Sequence, residues 1–279
     1  MKFYKYQAQG NDYIVVDPKD LKTELSTEQI ITICHPHYGI GSDGLLVGPY
    51  NSDRGDFGLR LFNPDGGEFE KSGNGLCIFS RYLRDQQLVT ENEFTIDTPG
   101  GLVQARVHED GRAVTIAMGQ VSFDSEKIPV EGPQREVLNE ILIIDGQDYR
   151  YCAATIGNPH CVVLLNEISP ELARRIGPIF ETAPRFPNRT NVQFLEVLDR
   201  NNIRIEIWER GVGYTLASGS SSCAAAAVAN RLGYCDRQIT VHCAGGDIKI
   251  KIAADFIITM TGAVTNICSG ELAAEIFDF

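Results

Sequence analysis

The sequence is short of several things. Its 279 residues include one tryptophan and three methionines, and no two of its eight cysteines form a C-x-x-C pair. Lys and Arg number 25 against 37 Asp and Glu, giving a net charge of −12, and no stretch gathers basic residues into a stripe. Phosphate-backbone binding needs clustered cations, so nucleic acid is excluded as an expected partner. No apolar run approaches the roughly 20 residues that cross a bilayer, and the opening M-K-F-Y-K-Y-Q-A-Q-G-N-D carries no apolar signal core. The expectation is therefore a cytoplasmic protein without a membrane partner. Cys34, Cys77, Cys152, Cys161, Cys223, Cys235, Cys243 and Cys268 sit mostly in apolar runs such as H-C-V-V-L-L. Reduced, buried thiols are predicted. Cys34-His35-Pro36-His37 is the one cluster of metal-type side chains. Without a second ligand pair it reads as a helix end running into a loop, and no metal is expected.

What is present is a repeat. Sliding the chain on itself by about 146 positions superposes four landmarks in order. Gly10-Asn11-Asp12-Tyr13-Ile14-Val15-Val16 falls on Gly157-Asn158-Pro159-His160-Cys161-Val162-Val163, and Arg60-Leu61-Phe62-Asn63 on Glu206-Ile207-Trp208-Glu209. Ser72-Gly73 falls on Ser218-Gly219, and Thr95 to Gly101 on Thr240 to Gly246. Stretches of period two, such as V-Q-A-R-V-H, I-R-I-E-I-W and I-K-I-K-I-A, predict half-buried strands, read as antiparallel. Helical runs are expected near 26–35, 73–87, 169–182 and 219–232. The last contains C-A-A-A-A-V-A, small enough for a tightly enclosed position. The predicted fold is α+β, with two pseudo-symmetric domains, each a sheet wrapped around one central helix. The first covers 1–120 and is joined by a C-terminal segment, 263–279; the second covers 121–262. Gly119, Pro129, Gly132 and Pro133 accumulate around the boundary.

F-E-K-S-G-N-G-L-C and T-L-A-S-G-S-S-S-C each place a serine before small residues at the start of a helix. A serine there caps an orphan amide, and glycine just inside lets a ligand come close to the backbone. Two such entrances in related domains are expected to converge on one anion across a cleft. Free N–H groups and helix dipoles would hold a carboxylate and favour the charge that forms when the adjacent carbon loses its proton. An acid/base group on each face of that carbon would permit inversion.

Seven stretches sharpen this: Gly10-Asn11-Asp12, Gly39-Ile40-Gly41-Ser42-Asp43-Gly44, Phe62-Asn63-Pro64-Asp65-Gly66, Gly73-Asn74-Gly75, Gly157-Asn158-Pro159-His160, Phe186-Pro187-Asn188-Arg189-Thr190-Asn191-Val192 and Glu209-Arg210-Gly211-Val212-Gly213. Together, over nearly the whole chain, they resemble the diaminopimelate epimerase family of cofactor-independent amino-acid racemases and epimerases. The resemblance implies a small amino-acid substrate, no cofactor and a homodimer. It implies that Asn63, Asn158, Asn191, Glu209 and Arg210 hold the far end of a diamino diacid and that Asn11 is a further site asparagine. The amides of Gly73, Asn74, Gly219 and Ser220 would receive the reacting carboxylate, and His160 and Glu209 would help set protonation.

In that family the two proton-transfer residues are cysteines, one at each helix entrance. Here Ser72 and Ser218 occupy both positions, with Ser220, Ser221 and Ser222 in place of Thr-Gly-Ala, Tyr214 in place of Glu and Lys71 in place of an apolar residue. A thiolate forms readily at a helix N-terminus, whereas a hydroxyl needs an adjacent base. Two readings stay open: an isomerase that moves the alpha proton with serines, and a homologue that binds a diamino diacid without turnover or with altered chemistry. Cys77 and Cys223 lie five residues beyond the serines and are expected to point into the core.

Overall fold

The structure is a computed structural model that describes residues 1–278; Phe279, the last residue of the 263–279 segment, lies outside them. The chain forms two compact units, residues 1–117 with 261–279 and residues 118–260.

In the first unit the order is β1 (Lys2–Ala8), β2 (Asn11–Val16), α1 (Thr27–Cys34), β3 (Leu45–Tyr50), β4 (Phe57–Phe62), β5 (Glu68–Phe69), α2 (Gly73–Asp85), β6 (Glu93–Thr98), β7 (Gly101–Val107) and β8 (Ala113–Gln120), within which the chain passes to the second unit. In the second it is β9 (Glu140–Ile144), β10 (Gln147–Thr155), β11 (Pro159–Leu164), α3 (Pro170–Glu181), β12 (Asn191–Asp199), β13 (Asn202–Glu209), β14 (Gly213–Thr215), α4 (Gly219–Arg231), β15 (Gln238–Cys243) and β16 (Gly246–Ile252). The chain returns to the first unit within β17 (Ile257–Ala263), and β18 (Thr265–Glu271) lies antiparallel to β1.

Most neighbours are antiparallel, but the antiparallel reading of the period-two stretches needs correction at I-R-I-E-I-W in β13, which is also parallel to β15. β2–β3, β4–β6, β11–β12 and β13–β15 are parallel pairs. Each is separated in sequence by one of the four helices, because a parallel pair needs a long crossover where an antiparallel pair needs only a turn. The same sequence of pairings occurs twice: hairpin, parallel crossover through α1 or α3, hairpin, parallel crossover through α2 or α4, hairpin.

The helices begin where capping chemistry dictates. Ser26 and Gln29 form a reciprocal capping box for α1, and Ser169 caps α3, which has proline at its first position. α2 stops at Asp85, and Gln87 at φ 56 turns the chain out of the helix. α4 has no polar face: every residue from Cys223 to Ala229 has zero exposure, and the helix lies against β10, β11, β12, β13, β15 and β16. Alanines let six strands approach one helix closely, so it sits at the centre of its sheet. Leu76, Cys77, Ile78 and Phe79 of α2 likewise have zero exposure.

A second core in the first unit joins Ile14 and Val16 to Ile30, Ile33, Leu45 and Val47. In the second unit Tyr149, Tyr151, Ile176, Phe180, Phe186 and Phe194 form an aromatic-rich core. No cysteine is in a disulfide, and six of the eight are buried, with Cys243 half-buried and Cys268 on β18 exposed. Burial pushes Cys77 up to about 12, so it is an inert thiol inside the core.

Candidate active site

At the first helix entrance, Ser72 has extended backbone angles and its Oγ accepts the N–H of Gly75 at 3.0 Å. This is the expected cap. Gly73 and Asn74 follow as buried residues. The side chain of Asn74 donates to Asn11 Oδ1 at 3.3 Å, and Asn11 in turn donates to Asp43 at 2.9 Å. Asp43 also accepts the N–H of Asp12, while its own N–H donates to Asp12 Oδ1, so the strand start and the 39–44 loop are clamped together. Asn11, Asn74 and Ser72 are thus brought to one place. Asn63 stands in the exposed β4–β5 turn, where its backbone bonds Gly66 and Gly67.

The second entrance differs in a way that corrects the sequence reading. Ser218 is at the N-cap with extended angles, but its hydroxyl makes no cap hydrogen bond. Its carbonyl accepts both the N–H and the Oγ–H of Ser222, which ties the first turn through the backbone instead. Asn158 Nδ2 reaches Ser220 Oγ at 3.5 Å, and Asn158 Oδ1 meets His160 Nε2 at 3.0 Å. Asn191 donates to the carbonyl of Pro159 and accepts the N–H of Arg210, each at 3.0 Å. The Arg210 guanidinium donates to the carbonyl of Asn188. Asn158, His160, Asn191, Arg210 and Ser220 therefore belong to one hydrogen-bonded set, and Glu209 precedes Arg210 at the end of β13.

Two residues that carry no motif hold this set. Glu181, the last residue of α3, is 4% exposed. It accepts Trp208 Nε1 at 2.7 Å and the N–H of Gly211 at 2.8 Å, and pairs with Arg189. One turn earlier, a Cβ on Gly177 would stand 2.6 Å from Trp208 Cγ. Gly177 and Glu181 are i and i+4 on the face of α3 that receives Trp208. The second is Gln193, fully buried on β12, which donates to Ser221 at 3.0 Å and lies beside His160. Gln193 Oε1 and His160 Nδ1 are both buried without a hydrogen-bond partner. Neither residue could have been found from spacing, because the contacts join segments 27 and 28 residues apart.

His160 has zero exposure, and burial lowers its pKa to about 3. It is therefore a neutral imidazole at physiological pH, hydrogen-bonded to Asn158. The unfolded chain binds a proton on this residue below about pH 6.5, where the folded chain does not. Stability from this group is thus complete above about pH 6.5 and is lost as pH falls toward 3. Urea unfolding is expected to lose about 2 kcal/mol between about pH 7 and pH 5, and His160→Gln is expected to flatten most of that slope. An equal slope in the variant would assign it to other groups.

Among the described residues no cluster of His, Cys, Asp and Glu could hold a metal ion, and no helix is long and apolar enough to cross a membrane. The profile of the diaminopimelate epimerase family matches residues 3–123 and 152–267. "Diaminopimelate epimerase 2" of a Nostoc species is 60% identical over 99% of this chain and 97% of its own length. The diaminopimelate epimerase of Moorella thermoacetica is 36% identical over 99% of this chain and 100% of its own. The solved hydroxyproline epimerase of Agrobacterium vitis shares the fold, with a TM-score of 0.68 over 97% of this chain and 91% of that one at 17% identity. A chain matched along both halves by this profile, and along its whole length by these relatives, belongs to the diaminopimelate epimerase family.

Proposed function

We propose that this protein epimerises the alpha carbon of a diamino diacid, converting LL-diaminopimelate to the meso form that feeds lysine and cell-wall precursor synthesis. The duplicated helix entrance carries the reading: each unit begins one buried central helix at a serine followed by a buried glycine. Loss of an alpha proton leaves charge on the carbon that spreads into its carboxylate. N–H groups at a helix start stabilise that charge where water is excluded. The amides of Gly73 and Asn74, and of Gly219 and Ser220, are the proposed receivers of the reacting carboxylate.

Ser72 and Ser218 are the proposed proton-transfer groups, each serving one face of the carbon. Asn63, Asn158, Asn191, Glu209 and Arg210 are assigned to the far amino-acid end, and Asn11 to the same substrate. A carboxylate and an ammonium group need both acceptors and donors, and this set supplies amides, a carboxylate and a guanidinium. His160 and Glu209 are assigned to protonation at the centre. A cytoplasmic homodimer completes the proposal.

Proton NMR of LL-diaminopimelate in deuterated buffer tests it. The natural protein is expected to erase the alpha-proton signal and to convert part of the substrate to the meso form. No exchange by the natural protein, with exchange restored in a Ser72→Cys/Ser218→Cys variant, would mean that the chain binds its ligand and has lost proton transfer.

A further inference from the structure

Ser72 Oγ receives two donors. One is the Gly75 N–H at 3.0 Å; the other is the phenolic O–H of Tyr13 at 3.4 Å, from a residue 59 positions earlier on β2. A hydroxyl has two acceptor lone pairs and one proton. With both lone pairs facing donors, the proton of Ser72 points elsewhere and is the one available to a ligand.

The tyrosine is placed by the fold and not by chance rotation. Tyr13 is 6% exposed and pairs with Tyr6 of β1, while the next residue, Ile14, pairs with Leu45 of β3. Its ring lies over Gly44, where a Cβ would stand 2.6 Å from Tyr13 Cε1. Glycine at 44 leaves the room that brings the phenol to the helix entrance. The second entrance offers no such cap: Ser218 lacks even the side-chain bond to its own helix.

We propose that Tyr13 is a positioning residue that acts through Ser72, storing the proton that a lone serine cannot. The inference rests on the assignment of Ser72 as a proton-transfer group. When Ser72 delivers its proton to the carbanion, the Ser72 O–H bond breaks and the C–H bond forms. In the same step the Tyr13 O–H bond breaks and its proton re-forms the Ser72 hydroxyl, leaving a phenolate. In the opposite direction the alpha proton passes to Ser72 Oγ, and the Ser72 proton passes to the phenolate. The step balances without an alkoxide, which matters because a phenol is a far stronger acid than an alkyl alcohol. The 3.4 Å separation is long for an O–H···O bond, as is usual before a substrate tightens a site.

The test compares the natural protein, Tyr13→Phe, Ser72→Cys and Tyr13→Phe/Ser72→Cys by alpha-proton exchange of LL-diaminopimelate in deuterated buffer, over a range of substrate concentration. Tyr13→Phe removes one oxygen and keeps the ring. It is expected to lower the maximal exchange rate about 10²-fold with KM moved less than about threefold. In the Ser72→Cys background the loss is expected to shrink to about threefold, because a thiolate carries its own charge. Equal losses in the two backgrounds, or no loss in the first, would overturn the role and leave Tyr13 as packing. Absence of exchange in the natural protein, beside exchange in Ser72→Cys/Ser218→Cys, would overturn the assignment of Ser72 itself and this inference with it.

Discussion

Ser72→Ala and Ser218→Ala are each expected to slow alpha-proton exchange by about 10²–10⁴-fold, the range that a positioned acid/base group supplies. They are expected to part company in stability. Ser72 Oγ accepts the Gly75 N–H, so its removal leaves an amide of α2 without a partner and costs about 1 kcal/mol. Ser218 makes no such bond, and its first turn is held by Ser222 to the Ser218 carbonyl, which alanine keeps. Its loss of stability should stay within about 0.5 kcal/mol. Urea unfolding beside the exchange assay separates the two effects. Matching stability losses would mean that the Ser218 hydroxyl caps α4 in solution, and unchanged exchange in either variant would remove that serine from the proton path.

Glu181→Ala is expected to be the most destabilising single change at the second-unit site, by about 2–5 kcal/mol. The carboxylate is buried and accepts Trp208 Nε1 and the Gly211 N–H, so both donors would be stranded. Arg189 is half exposed and its charge returns to water, so the ion pair itself adds little. A negative charge at the last position of α3 opposes the helix dipole, so Glu181 does not serve its own helix. It serves the turn that follows β13, which carries Glu209 and Arg210. Glu181→Gln keeps an acceptor for one of the two N–H groups but turns an NH2 toward the other, and its loss should be intermediate. KM for LL-diaminopimelate is expected to rise in both variants. A Glu181→Ala protein with unchanged urea midpoint and KM would show that the turn holds without it.

Much of this was legible in the sequence because it is locally encoded. Each helix entrance is a serine and a glycine in consecutive positions, so the N-cap positions of Ser72 and Ser218, the Ser72 cap bond and the starts of α2 and α4 follow from short-range chemistry. The seven Gly, Asn and Asp-rich stretches carried the family resemblance for the same reason: each is a short run of consecutive residues, at a turn, a strand start or a helix start, that can be read without knowing its neighbours in space. The alanine-rich stretch of α4 is equally local, since small side chains suit a helix that strands approach closely. Less was legible where strands pair. Alternation of period two marks a half-buried strand but does not reveal its neighbour's direction, and four pairs proved parallel.

The sequence by itself determined the repeat, the family, the two central helices and the residue types at their entrances, because each depends on neighbours within a few positions. Only the tertiary structure decided that the Ser218 hydroxyl, unlike that of Ser72, does not cap its helix, that His160 is neutral, that Glu181 holds the turn at Gly211, and that Tyr13 reaches Ser72. Each of these depends on which strand lies beside which helix and in what register, and that is set by burial of the strands within each unit rather than by any local spacing.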